Sequence, residues 1–103
     1  MALNIKSNYN EEDGRWILET IGDIDIASSK ALKEVLVNKF EEKAQDIILD
    51  FTQLDYIDST GLGIIIGAYG RMKESGKKLT IIHPKESIKR LLTITGLDKI
   101  FMQ

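Results

Sequence analysis

Tyr56-Ile57-Asp58-Ser59-Thr60-Gly61-Leu62-Gly63 is the stretch on which the fold turns. Ahead of it stands Ile47-Ile48-Leu49-Asp50-Phe51, an apolar run of strand character. Behind it, Leu62 to Met72 is apolar at helical spacing. A strand-to-helix turn therefore falls between them, with Ser59 at the mouth of the helix. Asp58, Ser59 and Thr60 all carry side chains that cap helices. A capping oxygen points away from the core. A hydroxyl in this place is open to water and suited to carrying a phosphate or meeting a partner.

Working outward, the flanking residues supply strands and helices in turn. Leu3, Ile5, Ser7 and Tyr9 alternate with polar residues, the pattern of a half-buried strand. Asn10 to Gly14 reads as a turn, and Trp16 to Ile21 as a second strand rich in branched and aromatic side chains. Their short link makes the two an antiparallel hairpin. Gly22-Asp23-Ile24-Asp25 ends the second strand. Ser28 or Ser29 caps a helix whose Leu32, Val35, Leu36 and Phe40 share one stripe. Its charged Lys30, Lys33, Glu34 and Lys39 fall mostly on the solvated side.

The run Ile47 to Phe51 alternates too little for a sheet with one wet face, which predicts cover on both sides. Past Ser59, Leu62, Ile65, Ile66 and Tyr69 form a stripe that Ile64 and Ala68 widen. Gly61, Gly63, Gly67 and Gly70 each cost that helix about 1 kcal/mol of intrinsic propensity, so packing must hold it. Ser75-Gly76 closes it, and Leu79 to Ile82 is the next strand. Pro84 sits in the first turn of a helix running through Ile88, Leu91 and Leu92, which Gly96 stops. Ile100 and Phe101 read as a last short strand or a packed tail. The order predicts a single α/β domain over residues 1–103. Its mixed sheet should have about four to five strands, with right-handed crossovers placing the helices mainly on one face.

Composition narrows the function. At 103 residues there is room for one core. A net charge of −2 offers nucleic acid no concentrated basic surface. The absence of cysteine excludes disulfides and thiolate metal sites, and the lone His83 excludes a multi-histidine centre. No apolar run approaches the roughly 20 residues that span a bilayer. The N-terminus lacks the apolar core of a signal peptide. The expectation is a cytoplasmic protein with no direct contact to nucleic acid or membrane.

The chemistry on offer is that of a regulator and not of a catalyst. Asp23, Asp25, Asp55 and Asp58 are candidate acids, and Ser59 and Thr60 candidate nucleophiles. The one base, His83, precedes Pro84 and reads as a loop residue. The nucleophile-elbow pattern is absent around Ser59, which follows Asp58. No glycine-rich loop ends in Lys-Ser or Lys-Thr, and Asp23-Ile24-Asp25 lacks the spacing of a calcium loop. Phosphorylation is different. A phosphate adds about 1.5 to 2 negative charges. A helix N-terminus attracts it by about 0.3 to 1 kcal/mol, while Asp58 repels it, so the fold tolerates the change. At an interface, an unpaired dianion stripped of water costs several kcal/mol. One phosphate can thus abolish a complex and spare the domain.

Three segments carry a family resemblance: Gly22-Asp23-Ile24-Asp25, Ile47 to Phe51, and Tyr56 to Gly63. With Ile88-Lys89-Arg90-Leu91-Leu92 and Thr95-Gly96-Leu97, they make the whole chain similar to the anti-sigma factor antagonists of the STAS domain family. The resemblance implies a partner-switching role. The unphosphorylated antagonist binds an anti-sigma factor that is also a serine kinase of the GHKL ATPase type, and so frees a sigma factor to direct transcription. The kinase phosphorylates the serine after the motif aspartate, here Ser59, and a PP2C-type phosphatase restores it. Thr60 is the second choice of acceptor. The resemblance also implies a partner surface made of Asp23, Asp25, Asp58, Thr60, Gly61, Leu62 and Gly63. ATP and Mg²⁺ belong to the kinase, so no cofactor is expected on this chain. The alternative is a non-switching STAS adaptor in a larger signalling or lipid-transport complex, with Ser59 only a cap. Members of the family commonly continue into a further helix beyond the point matching Gln103. Either the chain is a short variant, or a neighbouring copy shields that part of the core as a weak homo-oligomer.

Overall fold

The computed structural model describes residues 2–102. Strand β1 (Leu3–Asn10) and strand β2 (Arg15–Ile24) form the antiparallel hairpin. Helix α1 (Ser29–Glu42) then crosses to strand β3 (Asp46–Ile57), which runs parallel to β2. Helix α2 (Ser59–Glu74) crosses to strand β4 (Leu79–Ile82), parallel to β3. Helices α3 (Glu86–Ile94) and α4 (Asp98–Phe101) follow. The sheet is mixed, with four strands in the order β1-β2-β3-β4.

One face of that sheet carries the core. Trp16, Leu18 and Ile24 of β2 and Ile47, Leu49 and Phe51 of β3 are buried there with Leu32 and Leu36 of α1 and Ile65, Ala68 and Met72 of α2. Each such fully buried side chain contributes about 1.5–3 kcal/mol relative to exposure. Trp16 is also held by its polar atom: the indole Nε1–H donates to the Lys43 carbonyl at 3.0 Å. Tyr9 meets its ring edge-on at 5.1 Å.

The expected cover on both faces of β3 is not found. Ile48 and Asp50 are only half-buried. They lie level with Ile17 and Glu19 of β2. Strand β3 also runs six residues past the Phe51 at which its apolar run ends, and its buried positions change spacing from 47, 49 and 51 to 54 and 57. The cause is irregular pairing with β2, whose register shifts between Glu19 and Ile21 and again between Gly22 and Asp23. Thr20, fully buried at the first shift, donates its hydroxyl to the Asp50 carbonyl at 3.2 Å.

Smaller differences lie at the ends of elements. Pro84 stands two residues ahead of α3, whose N-cap is Lys85. Ile100 and Phe101 belong to a one-turn helix and not to a strand; Phe101 is buried, edge-on to Tyr69 of α2 at 5.5 Å. Packing against that ring, not pairing, holds the tail. His83 is the one described non-glycine residue with positive φ, 55°, a conformation that costs an L-residue about 1–2 kcal/mol. Its imidazole lies 3.9 Å from Asp50 Oδ1, too far for a hydrogen bond. His83→Gly should therefore raise stability by up to about 1 kcal/mol in urea denaturation. A loss would mean that the Asp50 contact outweighs the strain.

Candidate functional site

The site is built where β2 and β3 deliver their C-terminal ends side by side. Register pairs Asp23 with Tyr56 and Ile24 with Ile57. The Asp58 N–H then donates to the Ile24 carbonyl at 3.1 Å, tying the start of α2 to the end of β2. Two turns of backbone thus meet at one end of the sheet.

Asp58 is the N-cap of α2. Its extended backbone turns the chain out of β3, and its Oδ1 accepts the Gly61 N–H at 3.0 Å. The sequence left three residues as candidate caps; geometry selects the first. The consequence falls on its neighbours. Ser59 and Thr60 take the first two helical positions and both are exposed, so neither hydroxyl is committed to the cap. Asp58→Ala should cost about 1 kcal/mol of stability by leaving an N–H unpaired, read as a lower melting midpoint with an unchanged fold. An unaltered midpoint would remove the cap from the account.

Gly61 and Leu62 lie beneath this surface and not on it. A Cβ at Gly61 would overlap Ile24 Cγ2 and come within 2.9 Å of Ile57 Cγ1. Glycine here lets α2 sit directly on the ends of both strands. Leu62 is part of the core. These two residues therefore seat the helix, while Ser59, Thr60 and Gly63 face outward. Nothing stands within 4 Å of where a Gly63 Cβ would be.

The β2–α1 loop forms the second wall. Asp25 Oδ1 accepts the N–H groups of Ala27 and Ser28, each at 3.0 Å. Ser28 occupies the N-cap position of α1 without capping it. Its hydroxyl instead accepts the Asp25 N–H at 2.9 Å and donates to the Asp23 carbonyl at 2.8 Å. The Ser28 N–H, first among these donors, holds the Asp25 carboxyl below the ordinary carboxylate range against the opposing effect of burial, with the Ser28 hydroxyl and the Ala27 N–H assisting. Asp25 is thus the clasp of a tight loop that stays ionised at neutral pH. Asp23 is half-buried beside it.

Two features were not read from the sequence. Ile26, at the tip of this loop, is 78% exposed, and Tyr56, at the end of β3, is 51% exposed. Both lie on the two segments that meet at the start of α2. The signal was present as apolar residues inside turn segments, which core patterning does not demand. The result is an acidic rim with apolar points around two free hydroxyls at a helix N-terminus. Such a surface can accept a phosphoryl group or seat a protein. Among the described residues there is no cluster of three or more metal-ligating side chains, and no helix is long and apolar enough to cross a membrane.

Comparison with known proteins agrees with this fold. Residues 6–103 match the STAS domain. The anti-sigma-B factor antagonist of Bacillus subtilis (strain 168) is 35% identical over 100 residues, covering 97% of this chain and 89% of that protein. That of Staphylococcus aureus (strain NCTC 8325 / PS 47) is 32% identical, covering 97% and 91%. Among solved structures, the phosphorylated form of the Bacillus cell fate determinant SpoIIAA superposes with a TM-score of 0.75 at 15% identity, over 95% of this chain and 88% of that one. An anti-sigma factor antagonist from Mycobacterium paratuberculosis gives 0.73 at 25% identity, over 95% and 83%. The helices on one face of a four-stranded mixed sheet are therefore a fold shared with these proteins.

Proposed function

We propose, for a chain that belongs to the STAS domain family, that it is an anti-sigma factor antagonist switched by phosphorylation of Ser59. The observation that carries this reading is the division of labour at the start of α2. Asp58 spends its carboxylate on the cap, and Ser59 beside it keeps a solvent-exposed hydroxyl at the positive end of a 16-residue helix. The unmodified face binds an anti-sigma factor that is also a serine kinase of the GHKL ATPase type, and a sigma factor is released to act. Phosphate on Ser59 ends that binding, and a PP2C-type phosphatase removes it. Asp23, Asp25, Thr60 and Gly63 belong to the contact surface, with Ile26 and Tyr56 as its apolar points. Gly61 and Leu62 position it. The chain itself performs no catalysis, holds no cofactor and works in the cytoplasm.

The test is transfer of phosphate from ATP by the purified kinase, read by intact mass and fragment mapping. Wild type and Thr60→Ala should gain one phosphate, on Ser59, and Ser59→Ala none. Equal labelling of Ser59→Ala would refute the assignment.

A further inference from the structure

Helices α1 and α2 leave a groove along their seam that none of the residues discussed so far explains. Its wider part, about 180 Å³, is bounded by Val37 and Phe40 of α1 and by Ala68, Arg71 and Met72 of α2, with Glu41 at its edge. Its narrower part, about 100 Å³, lies nearer Ser59, among Lys33 of α1 and Gly63, Ile64, Gly67 and Arg71 of α2. Arg71 belongs to both. It folds back along the helix, with a guanidinium nitrogen 3.7 Å from where a Gly67 Cβ would sit. Among the described residues neither Lys33 nor Arg71 is in a salt bridge, although the chain has more acidic than basic residues. Two cations without partners thus border a strip of bare backbone, next to an apolar hollow.

Size decides the kind of occupant. Sites for small organic ligands run from about 300 Å³ upward and enclose most of the molecule. Each part here is smaller, and each suits one side chain. Position decides the rest. Gly63 and Gly67 lie one and two helical turns beyond Ser59 on the same side of α2, so the groove continues the surface that carries the hydroxyl. We infer that the groove receives a helical segment of the anti-sigma factor kinase that presents a carboxylate to Lys33 and Arg71 and, one turn further on, a large apolar side chain to the hollow between Phe40 and Met72. Helix-in-groove docking uses this spacing of anchors. The charge pattern fixes direction as well. Asp23, Asp25 and Asp58 make the Ser59 end acidic and call for a cationic partner surface, whereas the groove calls for an anionic one. Glu41 at the far edge disfavours a carboxylate there, so the acid must sit at the Ser59 end of the segment and the apolar residue beyond it.

The inference rests on the kinase-binding reading above, and the test separates the two. Purified kinase from the same genome is titrated with wild type, Arg71→Glu, Lys33→Glu, Ser59→Asp and Lys78→Glu. Lys78 is exposed, borders a different cleft and makes the same change of net charge. Arg71→Glu and Lys33→Glu should each bind at least about tenfold more weakly, while Lys78→Glu stays within about twofold of wild type. Unchanged circular dichroism shows that each variant is folded. Lys33, on the other helix, carries the test should Arg71→Glu disturb α2. If both groove variants bind like wild type while Ser59→Asp is lost, the groove inference fails and the switch stands. If wild type itself does not bind the kinase, the reading fails and the groove falls with it. If the groove variants instead abolish self-association and leave kinase binding intact, the occupant is a second copy and the inference is overturned.

Discussion

Ser59→Asp should weaken binding to the anti-sigma factor by at least about tenfold while leaving the unfolding midpoint nearly unchanged. The two halves of this result have different causes. Within the domain, a carboxylate at the first position of α2 gains about 0.3–1 kcal/mol from the helix N-terminus, and Asp58 next to it removes a similar amount. The side chain is exposed, so no packing is lost. Within a complex, the same charge must leave water beside Asp23, Asp25 and Asp58, where carboxylates of like charge oppose it. A buried unpaired charge costs several kcal/mol, and every 1.4 kcal/mol is about tenfold in affinity. Phosphoserine, with about 1.5 to 2 charges, should act more strongly than aspartate. Titration of the kinase with both proteins, beside thermal unfolding, checks the pair of effects. Undiminished affinity would remove the electrostatic switch, and a large fall in stability would mean that the hydroxyl has a structural role.

The largest stability effect is expected at Gly22→Val, with a loss of about 2–4 kcal/mol. Gly22 has φ of 105°, which is strained for any side chain and a genuine outlier for a β-branched one. A Cβ would also overlap the Ala2 carbonyl oxygen, where β1 pairs with the end of β2. Strain and overpacking each account for roughly 1–3 kcal/mol. The effect should reach the site, because the second register shift falls directly after Gly22 and sets the Asp23–Asp25 loop beside α2. Urea denaturation gives the loss. A value under about 1 kcal/mol would mean that the N-terminal strand gives way at little cost.

The places where sequence reading succeeded and failed share a physical logic. Period and capping chemistry are local, so the order of elements from β1 through α3 and the turn at Asp58–Thr60 were legible in the residues themselves. Gly22 and Gly61 illustrate what was not. Gly22-Asp23-Ile24-Asp25 reads as the end of the second strand, and the strand does end there, at Ile24, but through an irregular pairing that only its partner reveals. Gly61 looked like part of a contact surface, but the ends of two other strands lie where its side chain would be. Ile66 matched the buried stripe by spacing and is nonetheless 44% exposed, because α2 buries the side that carries Gly61, Ile65, Ala68 and Met72 and Ile66 falls at its margin. Packing between elements distant in sequence fixed each of these outcomes, and no local pattern encodes it.

The most direct test of the switch is the affinity of the kinase for two preparations of the same chain, one fully phosphorylated on Ser59 and one treated with phosphatase. The treated form should bind, and the phosphorylated form should have lost at least tenfold in affinity while melting at nearly the same temperature. Equal affinity of the two forms would contradict the account.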